Sequence, residues 1–172
     1  MTIQITDDFD LNRIADSGQC FRWVKVEEHT YRIVAGSSCL YITAAGDGRY
    51  DLACEEMEYI SFWQKYFDLD ENYRCIRERI DPEEDPFLWQ ASEQEKGIRI
   101  LRQDPWEMLV TSIITQNRNI PAICRSVELI MLPVGGKLFV GGAFRAGREY
   151  PKECRETRID IDRKLRYVFR RW

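Results

Sequence analysis

Four consecutive polar residues, Gln116-Asn117-Arg118-Asn119, interrupt an apolar stretch that runs from Leu101 to Ile123. Amide and guanidinium groups in a row donate and accept hydrogen bonds, and a rigid turn can present them to a partner. The same residues can also be no more than a helix-to-helix turn, and both readings stand at this point. Other chemistry is harder to assemble. His29 is the only histidine and sits in a polar turn, so a Ser-His-Asp or Cys-His arrangement has no partners in view. Six cysteines, Cys20, Cys39, Cys54, Cys75, Cys124 and Cys154, are scattered without a CxxC or Cys/His pair. No metal site and no cofactor is expected from them. Free thiols in a reducing cytoplasm fit best.

The polar turn needs two helices to hold it. Before it, Asp104 can cap a helix whose first position is Pro105, and Glu107 stands where a capping box places an acid. Trp106, Leu109, Val110, Ile113 and Ile114 then fall on one helical stripe that predicts a core-facing side. After the turn, Pro121 favours a new helix with Ile123, Val127 and Ile130 on its inner face.

The chain has 172 residues, 44% of them hydrophobic and 21 aromatic, enough for one domain or two small ones with a real core. No window approaches the roughly 20 apolar residues of a membrane span, so no membrane partner is expected. The start, "MTIQITDDFD", is acidic and lacks a signal-peptide pattern. Charge is uneven. Residues 131–172 carry 11 Lys+Arg against 5 Asp+Glu, and residues 1–130 carry 14 against 24. The acidic majority argues against nonspecific coating of nucleic acid but leaves room for a local binding surface.

Residues 3–52 read as strands. "CFRWVKV", "TYRIVA" and "CLYITA" are β-rich and closely spaced, and "AAGDGRYDLA" contains a Gly-Asp-Gly turn. Such short connections predict antiparallel hairpins. Helices must cover one face of so small a sheet. "EEMEYISFWQKYF" places Met57, Ile60 and Trp63 on one side, "DENYRCIRERI" places Tyr73, Ile76 and Ile80 together, and a short helix over Phe87–Glu95 follows. Strands first and helices afterwards predict an α+β fold. After Ile130 the composition changes, with five of the ten glycines within 135–147. The expected division is 1–95 for the sheet domain, 96–130 for the start of a helical domain, and 131–172 for an irregular Gly-rich and then basic tail. The end of that tail, "RKLRYVFRRW", reads either as a basic amphipathic segment or as a solvated tail.

Two separated stretches carry a family resemblance. "DFDLNRIADSGQCFRW" (Asp8–Trp23) resembles the opening of the 8-oxoguanine DNA glycosylases, with their "SGQxFRW" signature. "GIRILRQDPWEMLVTSIITQNRNIPAI" (Gly97–Ile123) is similar to that family's entry into its helix-hairpin-helix glycosylase domain. Order and spacing agree over residues 8–130. The resemblance implies a twisted antiparallel sheet (TBP-like) followed by a helical domain. It also implies excision of an oxidised purine from double-stranded DNA, by flipping the nucleotide into a pocket. A lysine amine then attacks the sugar carbon, and a Schiff base can lead on to strand cleavage.

The resemblance carries over residue by residue. It gives Gly18 the role of the glycine whose carbonyl accepts a hydrogen bond from the lesion. Asn117, with Arg118 beside it, matches the DNA-contacting turn, where an asparagine fills the gap left by the flipped base. Asn119 is expected to cap the next helix. Arg22 and Trp23 match signature positions with structural roles, the ring in the core and the guanidinium paired with an acid. Ala122 stands where some members have a cytosine-reading arginine.

The tail departs from the pattern. In the family, a stretch of helices precedes a "LPGVGxKxA" hairpin that bears the catalytic lysine, and an aspartate follows. Here "LPVGGK" begins directly after the polar turn, at Leu132, and glycines follow that would break a helix. Lys137 and Asp160 are the candidates for the two catalytic positions. The expectation is a chain that leaves the family pattern near residue 130 through truncation, a frame change or a shortened gene. Three readings follow: a DNA glycosylase/AP lyase of base-excision repair, a catalytically inactive fragment that binds DNA weakly, or a protein-interaction module. The expected partner is duplex DNA containing oxidised guanine. The expected place is the cytoplasm, or the nucleoid in a bacterium. Apolar faces of Leu109, Ile113 or Val127 left open would favour self-association.

Overall fold

The computed structural model of the chain describes residues 1–116, 119–130, 133–134, 137–140 and 143–146. Alternating apolar and polar residues build its main sheet. Strands β2 (Trp23–Glu27), β3 (Thr30–Ala35), β4 (Ser38–Gly46) and β5 (Arg49–Leu52) follow one another in sequence, and β1 (Thr2–Gln4) joins at the edge. The order is β1-β5-β4-β3-β2. β5 runs antiparallel to both β1 and β4, with a bulge in β4 between Ala44 and Gly46. Tyr31, Ile33 and Ala35 of β3, Leu40 and Ile42 of β4, and Tyr50 and Leu52 of β5 are buried, as a period of two requires.

The segment read as strands also contains a helix. α1 (Leu11–Asp16) is only six residues long, too short for its period to show. Asp10 caps it, accepting from the amides of Asn12 and Arg13, and Leu11 and Ile14 turn inward.

Chain contacts group the molecule into two units. One takes Met1–Arg32 and Leu40–Arg102, and the other takes Ile33–Cys39 and residues from Gln103 onward. In the first unit an aromatic cluster forms beside the sheet. Phe9 meets Tyr50 edge-on at 5.0 Å and Phe67 at 5.5 Å between ring centroids. Trp63 stacks on Phe67 at 5.9 Å, and Trp23 approaches the same ring edge-on. The helical cover differs from the expected one. α2 (Glu56–Glu58) passes through a π turn (Tyr59–Trp63) into α3 (Gln64–Tyr66). The wider turn rotates the later residues relative to the earlier ones. Met57 and Ile60 therefore point outward, at 74% and 54% exposure, while Trp63, Tyr66 and Phe67 are buried. α4 (Tyr73–Arg77) leaves Ile76 largely exposed. α5 (Pro86–Gln94), capped by Asp85, forms where a short helix was expected, but Phe87 is 81% exposed.

The first unit is tied together by Arg99, which is 1% exposed. Its Nε donates to the Asp8 carbonyl at 2.7 Å, and Nη1 donates to the carbonyls of Asp68 (2.6 Å) and Glu71 (3.2 Å). Nη2 pairs with the Asp7 carboxylate at 2.5 Å, and the Tyr73 ring lies 4.5 Å from the guanidinium carbon. Burial alone would raise the Asp7 pKa. The amides of Asp8, Tyr73 and Arg74 and the charge on Arg99 outweigh it and hold the carboxyl below its ordinary value. Arg77 reaches the neighbouring carboxylate, Asp8, at 2.7 Å, and Arg102 reaches Asp68 at 2.5 Å. The backbone supports the same joint. Gly97 accepts from the Asp10 amide at 2.9 Å with φ +99°, and a Cβ there would lie 2.8 Å from that of Asp10. Only glycine fits.

In the second unit, α6 (Pro105–Thr115) begins as expected. Asp104 accepts from the amides of Trp106 and Glu107, with Pro105 at the first position. The Glu107 carboxylate, the acid of the predicted capping box, accepts from the Gly36 amide at 3.2 Å and holds the β3–β4 hairpin tip. Asn119 caps α7 (Ile120–Ile130), its side chain accepting from the Ala122 amide at 3.0 Å. Ile123 and Val127 are buried, as their spacing predicts. On α6 only Ile114 of the predicted stripe is buried, and Leu109 and Ile113 stand 51% and 47% exposed. Of the three side chains expected to lie open, Val127 is the exception, enclosed in this unit's own core. Beyond α7, β6 (Pro133–Val134), β7 (Lys137–Val140) and β8 (Ala143–Ala146) form an antiparallel sheet in that order. The tail read as irregular thus contains three short strands, set between glycine pairs in the sequence.

Two outcomes are expected. Arg99→Met, which strands several buried acceptors and the Asp7 carboxylate, should cost about 3–5 kcal/mol in urea unfolding. A loss under about 1 kcal/mol, the value of an exposed pair, would show that the guanidinium is not a structural joint. Exposed Phe87, Leu109 and Ile113 should drive concentration-dependent self-association in light scattering. A monodisperse monomer at all concentrations would contradict it.

Candidate functional site

The signature residues Ser17-Gly18-Gln19 form the turn between α1 and β2. Ser17 ends the helix, its amide donating to the Ile14 carbonyl and its Oγ donating to the same oxygen at 2.7 Å. Gly18 then takes φ +78° and is exposed. A Cβ there would meet nothing within 4 Å. Glycine is required by the left-handed backbone and not by crowding, which leaves the approach to its peptide open. Gln19 turns back. Its Nε2 donates to Ser17 Oγ at 2.9 Å and to the Arg99 carbonyl at 2.7 Å, and its Oε1 accepts from the Leu101 amide at 2.8 Å.

The residues after the turn enter β2, where Trp23 is half-buried and not part of the core expected for its ring. Cys20 and Arg22 are buried. The Trp23 ring lies 6.0 Å from Tyr31, and its Nε1 donates to the Tyr66 hydroxyl at 3.0 Å. Close to Arg99, burial first and the Asp68 carboxylate second push the Tyr73 phenol above its usual pKa, so it is a neutral donor. It donates to Asp68 at 2.9 Å and accepts from the Ile100 amide at 3.1 Å.

The other candidate residues are placed differently. Asn117, Arg118 and Asp160 lie outside the described residues. Lys137 is described by its backbone only. It opens β7 and pairs with Val134 and Ala146 across the small sheet, so it stands on a strand and not at the start of a helix. No cluster of three or more His, Cys, Asp or Glu that could hold a metal occurs among the described residues. Gln19, Arg99 and Arg102 were present in the two motifs, yet nothing local in the sequence marks them as interacting. Their partners lie 28 to 92 residues away for Arg99 and up to 82 for Gln19.

A five-stranded antiparallel sheet with helices, and a braced glycine turn opening its second strand, define an α+β domain of the glycosylase kind. Residues 2–109 match the family model of the 8-oxoguanine DNA glycosylase N-terminal domain, and the chain belongs to that family. It is 28% identical over 130 residues to the N-glycosylase/DNA lyase of Saccharomyces cerevisiae, covering 67% of this chain and 34% of the yeast protein. Among solved structures it is similar to MBOgg1 in complex with a low-affinity DNA ligand. There the identity is 32% and the TM-score 0.74, over 98% of this chain and 58% of the other. It is also similar to the 8-oxoguanine glycosylase/lyase of Clostridium acetobutylicum, solved with double-stranded DNA bearing cytosine opposite 8-oxoG. That match has 30% identity and a TM-score of 0.72, over 94% of this chain and 56% of the other. The chain therefore spans about a third of the yeast protein and under three fifths of these two structures.

Gly18→Ala should lower stability by about 1–2 kcal/mol, the cost of a side chain in the left-handed region. Thermal unfolding measures it. A loss above about 4 kcal/mol would point instead to packing around the turn.

Proposed function

We propose that this protein serves base-excision repair as a DNA glycosylase/lyase of the 8-oxoguanine type, its substrate an oxidised purine in duplex DNA. The observation that carries the reading is the exposed left-handed turn at Gly18, inside the family signature. Its carbonyl is the acceptor for the N–H that an oxidised guanine has at N7 and guanine lacks. The nucleotide reaches it by leaving the stack. Asn117 and Arg118 contact the DNA at the vacated position. Cleavage then needs an amine. Its nitrogen bonds to the sugar C1′, the C1′–N bond to the base breaks, and the base leaves with a proton. Ring opening converts the adduct to a Schiff base. A carboxylate can assist the proton transfers. Lys137 and Asp160 are the candidates for these two roles.

The strand position of Lys137 favours a second reading, in which the chain binds the lesion without cleaving it. Borohydride, which reduces a Schiff base to a stable amine, separates the two. With a duplex holding 8-oxoguanine opposite cytosine, a covalent adduct that Lys137→Ala abolishes supports the lyase and its nucleophile. An adduct that survives this substitution assigns the role to another amine. Absence of any adduct, with a working control enzyme, overturns the catalytic reading and leaves binding.

A further inference from the structure

We infer that Gln19 is a positioning residue for lesion recognition, fixing the direction of the Gly18 carbonyl by docking its own amide onto the extended segment Arg99–Leu101. The inference rests on the reading of Gly18 given above.

The geometry begins with covalent structure. The Gly18 carbonyl belongs to the peptide group that joins Gly18 to Gln19. That group is planar, so its two flanking Cα atoms define the axis about which the carbonyl can turn. Glycine alone would not hold that plane, because it moves easily between conformations of either sign of φ. Both flanks are held instead. On one side Ser17 is fastened to the end of α1 through Ile14. On the other side the Gln19 amide makes a two-point contact. It donates to the carbonyl of Arg99 and accepts from the amide of Leu101. In an extended chain the carbonyl of one residue and the amide of the second residue after it face the same edge, the pairing that a neighbouring strand uses. The Gln19 side chain thus takes the place of one residue of a neighbouring strand, supplying both its donor and its acceptor. Only one orientation of its amide satisfies both contacts, and the same Nε2 also donates to Ser17 Oγ, closing the turn across Gly18.

The segment that receives Gln19 is itself immobilised. Arg99 is anchored to Asp7, Asp8, Asp68 and Glu71. The Arg102 amide donates to the Tyr66 carbonyl at 2.9 Å. A hydrogen-bond acceptor discriminates one donor on a base only if it is held in place before the base arrives. The brace therefore links the buried arginine to the accuracy of the turn.

The test is a ratio. Equilibrium binding of the chain is measured for two duplexes, one with 8-oxoguanine and one with guanine at the same position opposite cytosine. The wild-type chain should prefer the lesion duplex. In Gln19→Met, which keeps the length and loses both amide contacts, the preference should fall about fivefold, the effect of weakening one hydrogen bond. If that variant does not fold by circular dichroism, Gln19→Glu replaces it, retaining the acceptor for Leu101 and losing the donors. A purely structural role would weaken both duplexes alike and leave the ratio unchanged. A folded variant with the wild-type ratio overturns the inference while the Gly18 reading stands. A wild-type chain that does not distinguish the duplexes overturns the Gly18 reading and this inference together.

Discussion

The guanidinium of Arg99 is the joint on which the first unit depends. It is buried, always charged, and points donors at three carbonyls and one carboxylate from two distant parts of the chain. The planar fork suits this task, since one rigid group can bridge separate backbone segments. Removing water from such a charge is costly, and the cost is recovered only when its donors are paired. The acids around it answer that demand. Asp7 faces Arg99, while Asp8 and Asp68 bring in Arg77 and Arg102. The N-terminal segment, the loop before α4 and the extended segment ahead of the second unit are thereby held together. The glycine turn inherits its order from the same joint through Gln19.

Much of the fold was legible because its signals are local. β-rich composition and a Gly-Asp-Gly turn marked β2 through β5, and the short connections implied antiparallel pairing. Asp104 and Pro105 marked the start of α6, and Asn119 the start of α7. These signals act over a few residues, so a linear reading captures them. The errors have equally physical causes. Met57 and Ile60 belong to a helical stripe only if the helix keeps 3.6 residues per turn, and the π turn at Tyr59–Trp63 breaks that condition. α1 is shorter than two turns, so Leu11 and Ile14 show no period. Glu107 fits a capping box by spacing, but its carboxylate accepts from Gly36, a partner that spacing cannot reveal.

The candidate site divides along the same line. Gly18 was legible through its signature, and its positive φ supplies a conformational reason for a glycine there. The roles of Gln19 and Arg99 were not legible, because each depends on contacts that form only when distant segments meet. Their residue types still carried a hint. An arginine between Ile98 and Ile100, in a segment entering an apolar helix, must either face solvent or find several acceptors. Arg99 does the latter. Lys137 shows the opposite case, where a local word resembled a hairpin motif while its glycine pairs suit short strands better than a helix.

The charge distribution has a related explanation. Residues 1–130 carry ten more acids than bases, an unfavourable balance for a DNA-binding surface. Several of those carboxylates are committed internally. Asp7, Asp8 and Asp68 are neutralised by arginines. Asp10, Asp85 and Asp104 accept from helix N-terminal amides, where the helix dipole offsets part of their charge. The sequence total therefore overstates the repulsion a phosphate backbone would meet. Arg77 and Arg99 are spent in the same way, their guanidinium groups engaged by carboxylates and carbonyls within the first unit. What a phosphate backbone would meet is set by where the uncommitted charges stand and not by the sequence total.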